Sequence, residues 1–178
     1  DHLLFVFVLL LLISDRWRLL GAITAFTVAH SITMAAATLG WFSLPGPPVE
    51  AAIALSIIFL ASELVQRDGS DTRLSERFPW IVSFTFGLLH GFGFAGALLD
   101  IGLPRGDVPL ALLAFNLGVE AGQILFIAAV LSVTFLLGRI APATMRTARH
   151  PGSPLTVGSA YLIGGVSAFW FIDRVAGF

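Results

Sequence analysis

The sequence predicts an all-α protein, a polytopic bundle of about six transmembrane helices. The chain of 178 residues is 57% hydrophobic and only 12% charged, which is about half the charged share of an ordinary soluble domain. Its mean hydropathy is +0.92. Long apolar segments alternate with short segments rich in Pro, Gly or Arg, as expected for spanning helices and their loops. We expect residues 1–178 to form a single transmembrane helical domain.

One short and five full apolar segments are the candidate spans, because a helix needs about 20 apolar residues to cross a bilayer. In chain order they are Leu3–Ile13, Leu19–Leu39, Val49–Val65, Trp80–Leu99, Leu110–Leu137 and Leu155–Ile172. Helix breakers and charged residues separate them. Four of the connections are Ser43–Pro48, Arg67–Arg77, Gly102–Asp107 and the basic loop Arg139–Pro154.

The first segment is too short to span. The thirteen residues up to Ile13 cover about 20 Å as a helix, against a hydrocarbon core of about 30 Å. We therefore expect that residues upstream complete this helix, and that Asp1 and His2 lie within the membrane.

Arginine placement predicts the orientation. Eight of the ten arginines follow the first, third or fifth span, and only Arg105 and Arg174 lie on the other side. The first set is expected to face the cytoplasm, so both termini are predicted to lie outside, in the periplasm of a Gram-negative bacterium.

Three of the four histidines fall inside apolar segments, where ionisable side chains usually mark a site or a pathway. His2, His30 and His90 each lie 11 or 12 residues from the cytoplasmic end of their segment, which is roughly 16–18 Å of helix. Three helices thus carry a histidine at one depth, whereas His150 lies in the basic loop. The alternative for each histidine is a structural role, in which its ring makes a hydrogen bond between helices.

Carboxylates complete the candidate metal ligands. Glu120 needs a partner or a proton at membrane depth, and Asp1 is either a ligand or a group that orients a histidine. Secondary candidates are Asn116, Gln123, Glu63 and Ser31, of which the amides are more often packing contacts between helices. Glu50, by contrast, fits a favourable charge at a helix N-terminus.

The donor set limits the metal and the partners. The chain has no cysteine, which excludes thiolate sites, and imidazole with carboxylate suits Ni²⁺, Co²⁺, Zn²⁺ or Cu²⁺ without distinguishing them. A net charge of −1 gives no basic surface for nucleic acid.

A metal permease is favoured. The alternatives are an intramembrane metal-dependent hydrolase, with Glu120 or Asp1 as general base, and a structural or maturation partner.

A weak internal repeat links two of the histidines. His30 precedes Pro45 by 15 residues and His90 precedes Pro104 by 14, and the next segments carry Glu63 and Glu120. Both units start on the inner side, so this is a candidate parallel repeat, a kind that some transporters contain.

Five motifs resemble the HupE/UreJ family, and more closely its second branch of bacterial membrane proteins. They are Asp1–Phe5, Thr24–Thr33, Val49–Ser56, Phe86–Ala95 and Phe115–Glu120. The resemblance implies a multi-pass inner-membrane protein for nickel or cobalt handling, with hydrogenase or urease maturation or metal-delivery proteins as candidate partners. The family usually has a further histidine several residues before the Asp-His pair, a position upstream of Asp1.

Overall fold

The computed structural model describes residues 1–66, 73–101, 108–142 and 152–177. Within these ranges the chain is helical and contains no strand, so the predicted all-α class is confirmed. The helices are α1 (His2–Leu12), α2 (Arg16–Thr38), α3 (Gly46–Val65), α4 (Leu74–Arg77), α5 (Pro79–Ile101), α6 (Val108–Ile140) and α7 (Pro154–Ala176). The predicted turn Gly102–Asp107, residues 67–72 of the charged loop and most of the basic loop, with His150, lie outside the described residues.

Each of the six apolar segments corresponds to a helix. Four of these, α2, α3, α6 and α7, are long and apolar enough to cross a membrane, and α1 is a shorter apolar helix. The chain is therefore a multi-pass membrane protein. The short helix α4 was not predicted, because its four residues, Leu74–Arg77, are too few to show a helical pattern in the sequence.

Local sequence explains where the helices begin. The Asp15 carboxylate accepts hydrogen bonds from the backbone N–H groups of Trp17 and Arg18 at the start of α2, at 2.8 and 2.9 Å, which satisfies two donors that the helix leaves free. Prolines occupy the first turn of α3 and of α7, where their missing N–H has no cost.

Glycines allow α2 and α5 to pack closely. The contact between these two helices is one of the two most extensive in the described structure, and the contact between α3 and α7 is the other. A Cβ at Gly87 would collide with the backbone carbonyl of Phe26, and one at Gly91 with the carbonyl of His30 and the Thr33 hydroxyl. Small residues permit such approach between membrane helices. The approach brings His30 and His90 into the same region of the bundle.

The short helix α1 lies in the interior of the bundle. Its residues Phe5, Val8, Leu9 and Leu12 are fully buried, and the helix contacts α2, α3, α4, α6 and α7. By contrast, α6 has few buried residues and turns large apolar side chains such as Leu125 outward, as expected for a surface against lipid. The interior position of α1 places its first residues among the histidines of other helices.

Candidate metal centre

Three histidines from three helices meet in one cluster. His2 is the first residue of α1, His30 lies on α2 and His90 on α5. The ring centroid of His2 is 5.2 Å from that of His30 and 4.9 Å from that of His90. His30 and His90 are completely buried. The structure thus brings together the histidines that the depth argument had placed on one level.

The hydrogen bonds of Ser56 fix the tautomer of His90. The Ser56 hydroxyl donates its one hydrogen to the carbonyl of Ile53 at 2.6 Å, and its oxygen lies 3.2 Å from His90 Nε2. Because a hydroxyl has a single hydrogen, the oxygen accepts from Nε2–H. In a neutral imidazole the proton-free nitrogen is then Nδ1, and the network assigns this tautomer.

Asn116 has the same effect on His30. The side-chain N–H of Asn116 donates to the Leu112 carbonyl at 2.8 Å, which orients the amide and turns its oxygen toward His30. The distance from His30 Nδ1 to that oxygen is 3.2 Å. An amide oxygen only accepts, so Nδ1–H is the donor and Nε2 carries the lone pair.

Asp1 orients His2. The carboxylate oxygen Oδ1 lies 2.9 Å from His2 Nδ1 and also accepts the backbone N–H of His2 at 2.6 Å. The carboxylate can only accept, so Nδ1–H donates and Nε2 carries the lone pair. A carboxylate behind a histidine in this way is the usual arrangement that orients a metal-binding imidazole.

The other nitrogen of each ring is buried and has no hydrogen-bond partner among the described residues. These atoms are His2 Nε2, His30 Nε2 and His90 Nδ1. A buried polar group without a partner costs about 1–3 kcal/mol, so three such atoms in one cluster call for an explanation. A bound metal ion supplies one, since neutral imidazole nitrogens are common metal ligands.

A subset of the cluster has the spacing of a metal site. Among the described residues, Asp1, His2 and His90 each offer a ligand atom, and these atoms lie within 4.8 Å of one another. His30 is beside this group, through its ring contact with His2, but is not one of its three members. The geometry therefore offers two imidazoles and one carboxylate for an ion, with His30 next to them.

Phenylalanine rings surround the cluster. The Phe94 ring stands edge-on to His2 at 4.8 Å between centroids, and Phe26 lies 5.1 Å from His90. Phe5 is 5.4 Å from His90. These apolar walls keep water away from the imidazoles, which strengthens electrostatic interactions within the cluster.

A second polar layer runs between α2 and α6. The Thr24 hydroxyl donates to Glu120 at 3.3 Å, and the Thr27 hydroxyl donates to the Gln123 side-chain oxygen at 3.4 Å. Glu120 is therefore placed against Thr24, and it is not a member of the group formed by Asp1, His2 and His90. With Asn116, which holds His30, these contacts continue the polar cluster along one helix interface.

The remaining candidates have local roles. The Ser31 hydroxyl donates to the Thr27 carbonyl of its own helix at 2.6 Å. Glu63 accepts the backbone N–H groups of Leu74 and Ser75 at 3.2 and 3.3 Å, so it caps the start of α4. Glu63 lies seven residues beyond Ser56, which is about 10 Å along α3.

A cavity of about 440 Å³ adjoins the cluster. Its walls include Asp1, Ile53 and Phe94, together with Glu50 from the start of α3 and Arg174 from the end of α7. Asp1 belongs both to this cavity and to the metal-competent group. An aqueous ion could thus reach the carboxylate of Asp1 through the cavity.

Two kinds of functional residue were missed in the sequence. Ser56 is a polar residue in the apolar run of α3 and ends the motif Val49–Ser56. The phenylalanines of the cluster were not among the predicted site residues. Helical spacing could have found them, because Phe5, Phe26 and Phe94 each lie three or four residues from one of the histidines and so share its face.

Comparison with known proteins gave one match. A family model described as HupE / UreJ protein matches residues 1–174, a range that includes every residue of the cluster, the cavity and the second polar layer. Searches of curated proteins and of solved structures gave no match.

Proposed function

The chain belongs to the HupE/UreJ family, and from this premise we propose that it is a membrane permease for a divalent transition-metal ion. The family is associated with nickel and cobalt transport. The observation that carries the proposal is the set of three buried imidazole nitrogens that have no partner in the part of the chain that the structure describes, each on a ring whose other nitrogen is held by an acceptor.

The ion would be bound by His2, His90 and Asp1, with His30 as a further ligand. The tautomers support this role, because each ring presents a lone pair and does not need to lose a proton when it binds metal. Imidazole and carboxylate donors suit Ni²⁺, Co²⁺, Zn²⁺ and Cu²⁺, and the family association favours the first two. Glu120, beside Thr24, would serve as the next acidic group for an ion leaving the cluster.

The route of the ion follows from the proposed orientation. The arginine distribution favours an orientation with both termini outside, and the family resemblance implies a bacterial inner membrane. The cavity beside Asp1 would then open toward the periplasm, and the polar contacts of α2 with α6 would lead toward the cytoplasm. Hydrogenase or urease maturation proteins, or other metal-delivery proteins, would be the partners on that side.

The test is metal binding and uptake by the purified protein. Titration calorimetry in detergent with Ni²⁺, Co²⁺, Zn²⁺ and Cu²⁺ measures affinity, and proteoliposomes measure uptake. We expect His90→Ala to bind the ion much more weakly and to lose uptake, whereas His150→Ala, which also removes one imidazole, leaves binding and uptake unchanged. No binding by the wild-type protein, or equal behaviour of the two variants, would refute the proposal.

A metal-dependent hydrolase is a second candidate. The observation that favours it is the cavity, which reaches Asp1, a carboxylate that could act as general base on a metal-bound water. In that case the ion would remain bound at the cluster. Tight metal binding without uptake into proteoliposomes would support the hydrolase over the permease.

A further inference from the structure

An ion pair lies at the wall of the cavity beside the metal centre. Arg174 Nε pairs with a carboxylate oxygen of Glu50, and both side chains are about half exposed. The two residues lie far apart in the sequence, Glu50 in the first turns of α3 and Arg174 in the last turn of α7. This ion pair is a more specific role for Glu50 than the helix-terminal charge that its position in the sequence suggests.

Resting on the proposed function, we propose that Glu50 is the docking site for a hydrated divalent cation at the entrance of the metal path. Arg174 holds the Glu50 carboxylate until a cation displaces it. The ion then passes from Glu50 to Asp1, which lines the same cavity and belongs to the group with His2 and His90.

The size of the cavity fits a hydrated ion. A water molecule occupies about 30 Å³ in the liquid, so an ion with six waters needs roughly 200 Å³, and the cavity has about 440 Å³. The ion can therefore enter with its first hydration shell and lose water stepwise to carboxylate oxygens. The apolar wall at Ile53, Ala54 and Phe94 leaves the carboxylates as the groups that attract it.

The charges of the lining favour the exchange. Two carboxylates, Asp1 and Glu50, face a single guanidinium, Arg174, among the lining side chains. A divalent ion attracts a carboxylate twice as strongly as a guanidinium at equal distance. Half-exposed ion pairs contribute little stability, so Arg174 can leave Glu50 readily. Arg174 also keeps a second acceptor, the Asp173 carboxylate at 3.1 Å, to which it can remain bound.

Initial rates of Ni²⁺ uptake into proteoliposomes, measured over a range of Ni²⁺ concentrations, test the proposal. We expect Glu50→Gln to raise KM about fivefold with Vmax unchanged. Arg174→Gln frees the Glu50 carboxylate and is expected to lower KM. Asp15→Asn, the matched control, removes an equal charge at the start of α2, outside the cavity lining, and should change KM by less than about twofold.

Opposite changes in KM separate docking from a structural role. If the ion pair only held α3 to α7, Glu50→Gln and Arg174→Gln would break it alike and impair uptake in the same direction, which would overturn the proposal. Calorimetry distinguishes a failure of the docking site from a failure of the proposed metal centre, since Glu50→Gln should bind Ni²⁺ at the histidine centre with wild-type affinity. Uptake by the wild-type protein with an unchanged KM in Glu50→Gln overturns the docking site alone, and no uptake by the wild-type protein overturns both.

Discussion

Replacing Ser56 with Ala is expected to weaken metal binding, although Ser56 is not a proposed ligand. Its hydroxyl oxygen accepts Nε2–H of His90 at 3.2 Å, which directs the Nδ1 lone pair of that ring toward the cluster. In the Ala variant the ring loses this partner. The proton can then move to Nδ1, and the ring can turn away from the geometry that metal binding needs.

The size of the effect follows from the burial of this contact. Ser56 is 2% exposed and His90 is completely buried, so water cannot readily replace the hydroxyl. A buried polar group left without a partner costs about 1–3 kcal/mol, and loss of a group that orients a ligand typically lowers metal affinity about 10- to 100-fold. We expect a loss of affinity in that range.

Titration calorimetry with Ni²⁺ measures the affinity, and ¹⁵N NMR of the histidine rings reports the tautomer. The matched control is Ser62→Ala. The Ser62 hydroxyl likewise donates to a carbonyl three residues earlier on α3, that of Phe59 at 2.7 Å, but it has no histidine partner in the described structure. Ser56→Thr keeps the hydroxyl and should recover most of the affinity.

This role of Ser56 is refuted if Ser56→Ala binds Ni²⁺ as tightly as the wild-type protein. It is also refuted if Ser62→Ala loses as much affinity, because the effect would then come from the helix and not from His90. A lower thermal stability with unchanged affinity would mean that Ser56 only supports packing.

Three further predictions concern packing, the cap of α4 and pH. Gly91→Ala should destabilise the protein by about 1–3 kcal/mol, because its Cβ would meet the His30 carbonyl. Gly96→Ala, whose Cβ would have no neighbour within 4 Å, should not destabilise it. Thermal unfolding in detergent compares the two variants, and equal melting temperatures would contradict the close packing of α2 and α5. Glu63→Gln should lower the free energy of unfolding by about 1 kcal/mol and leave Ni²⁺ affinity unchanged, since Glu63 caps α4 at Ser75. A large loss of Ni²⁺ affinity would instead place Glu63 on the metal path. Ni²⁺ affinity should fall in acid, because protons compete for the imidazoles. Calorimetry in a pH series that extends well below the ordinary imidazole range measures it, and an affinity that never falls would exclude histidine ligands.

The sequence could predict the helices because each apolar segment is bounded by strong breakers. All six segments became helices within a few residues of their predicted limits. The depth of His2, His30 and His90 along their helices could also be estimated from the sequence, because the helical rise per residue converts a number of residues into a distance. Height does not fix rotation about the helix axis, however, and rotation depends on packing between helices.

Because helix rotation depends on packing, the sequence did not predict which side chains meet at the metal centre. Glu120 was placed at a plausible height, but α6 turns it toward Thr24. Ser56 became important only because α3 and α5 bring it beside His90. The ion pair of Glu50 with Arg174 joins residues more than 120 positions apart, a contact that no local pattern in the sequence could indicate.

X-ray absorption spectroscopy of the Ni²⁺-loaded protein tests the central claim most directly, because it reports the donor atoms around the ion. We expect imidazole nitrogens together with oxygen donors, at about 2.0–2.2 Å, and the loss of one imidazole from the spectrum of His90→Ala. Coordination by oxygen alone, or a His90→Ala spectrum identical to that of the wild-type protein, would contradict it.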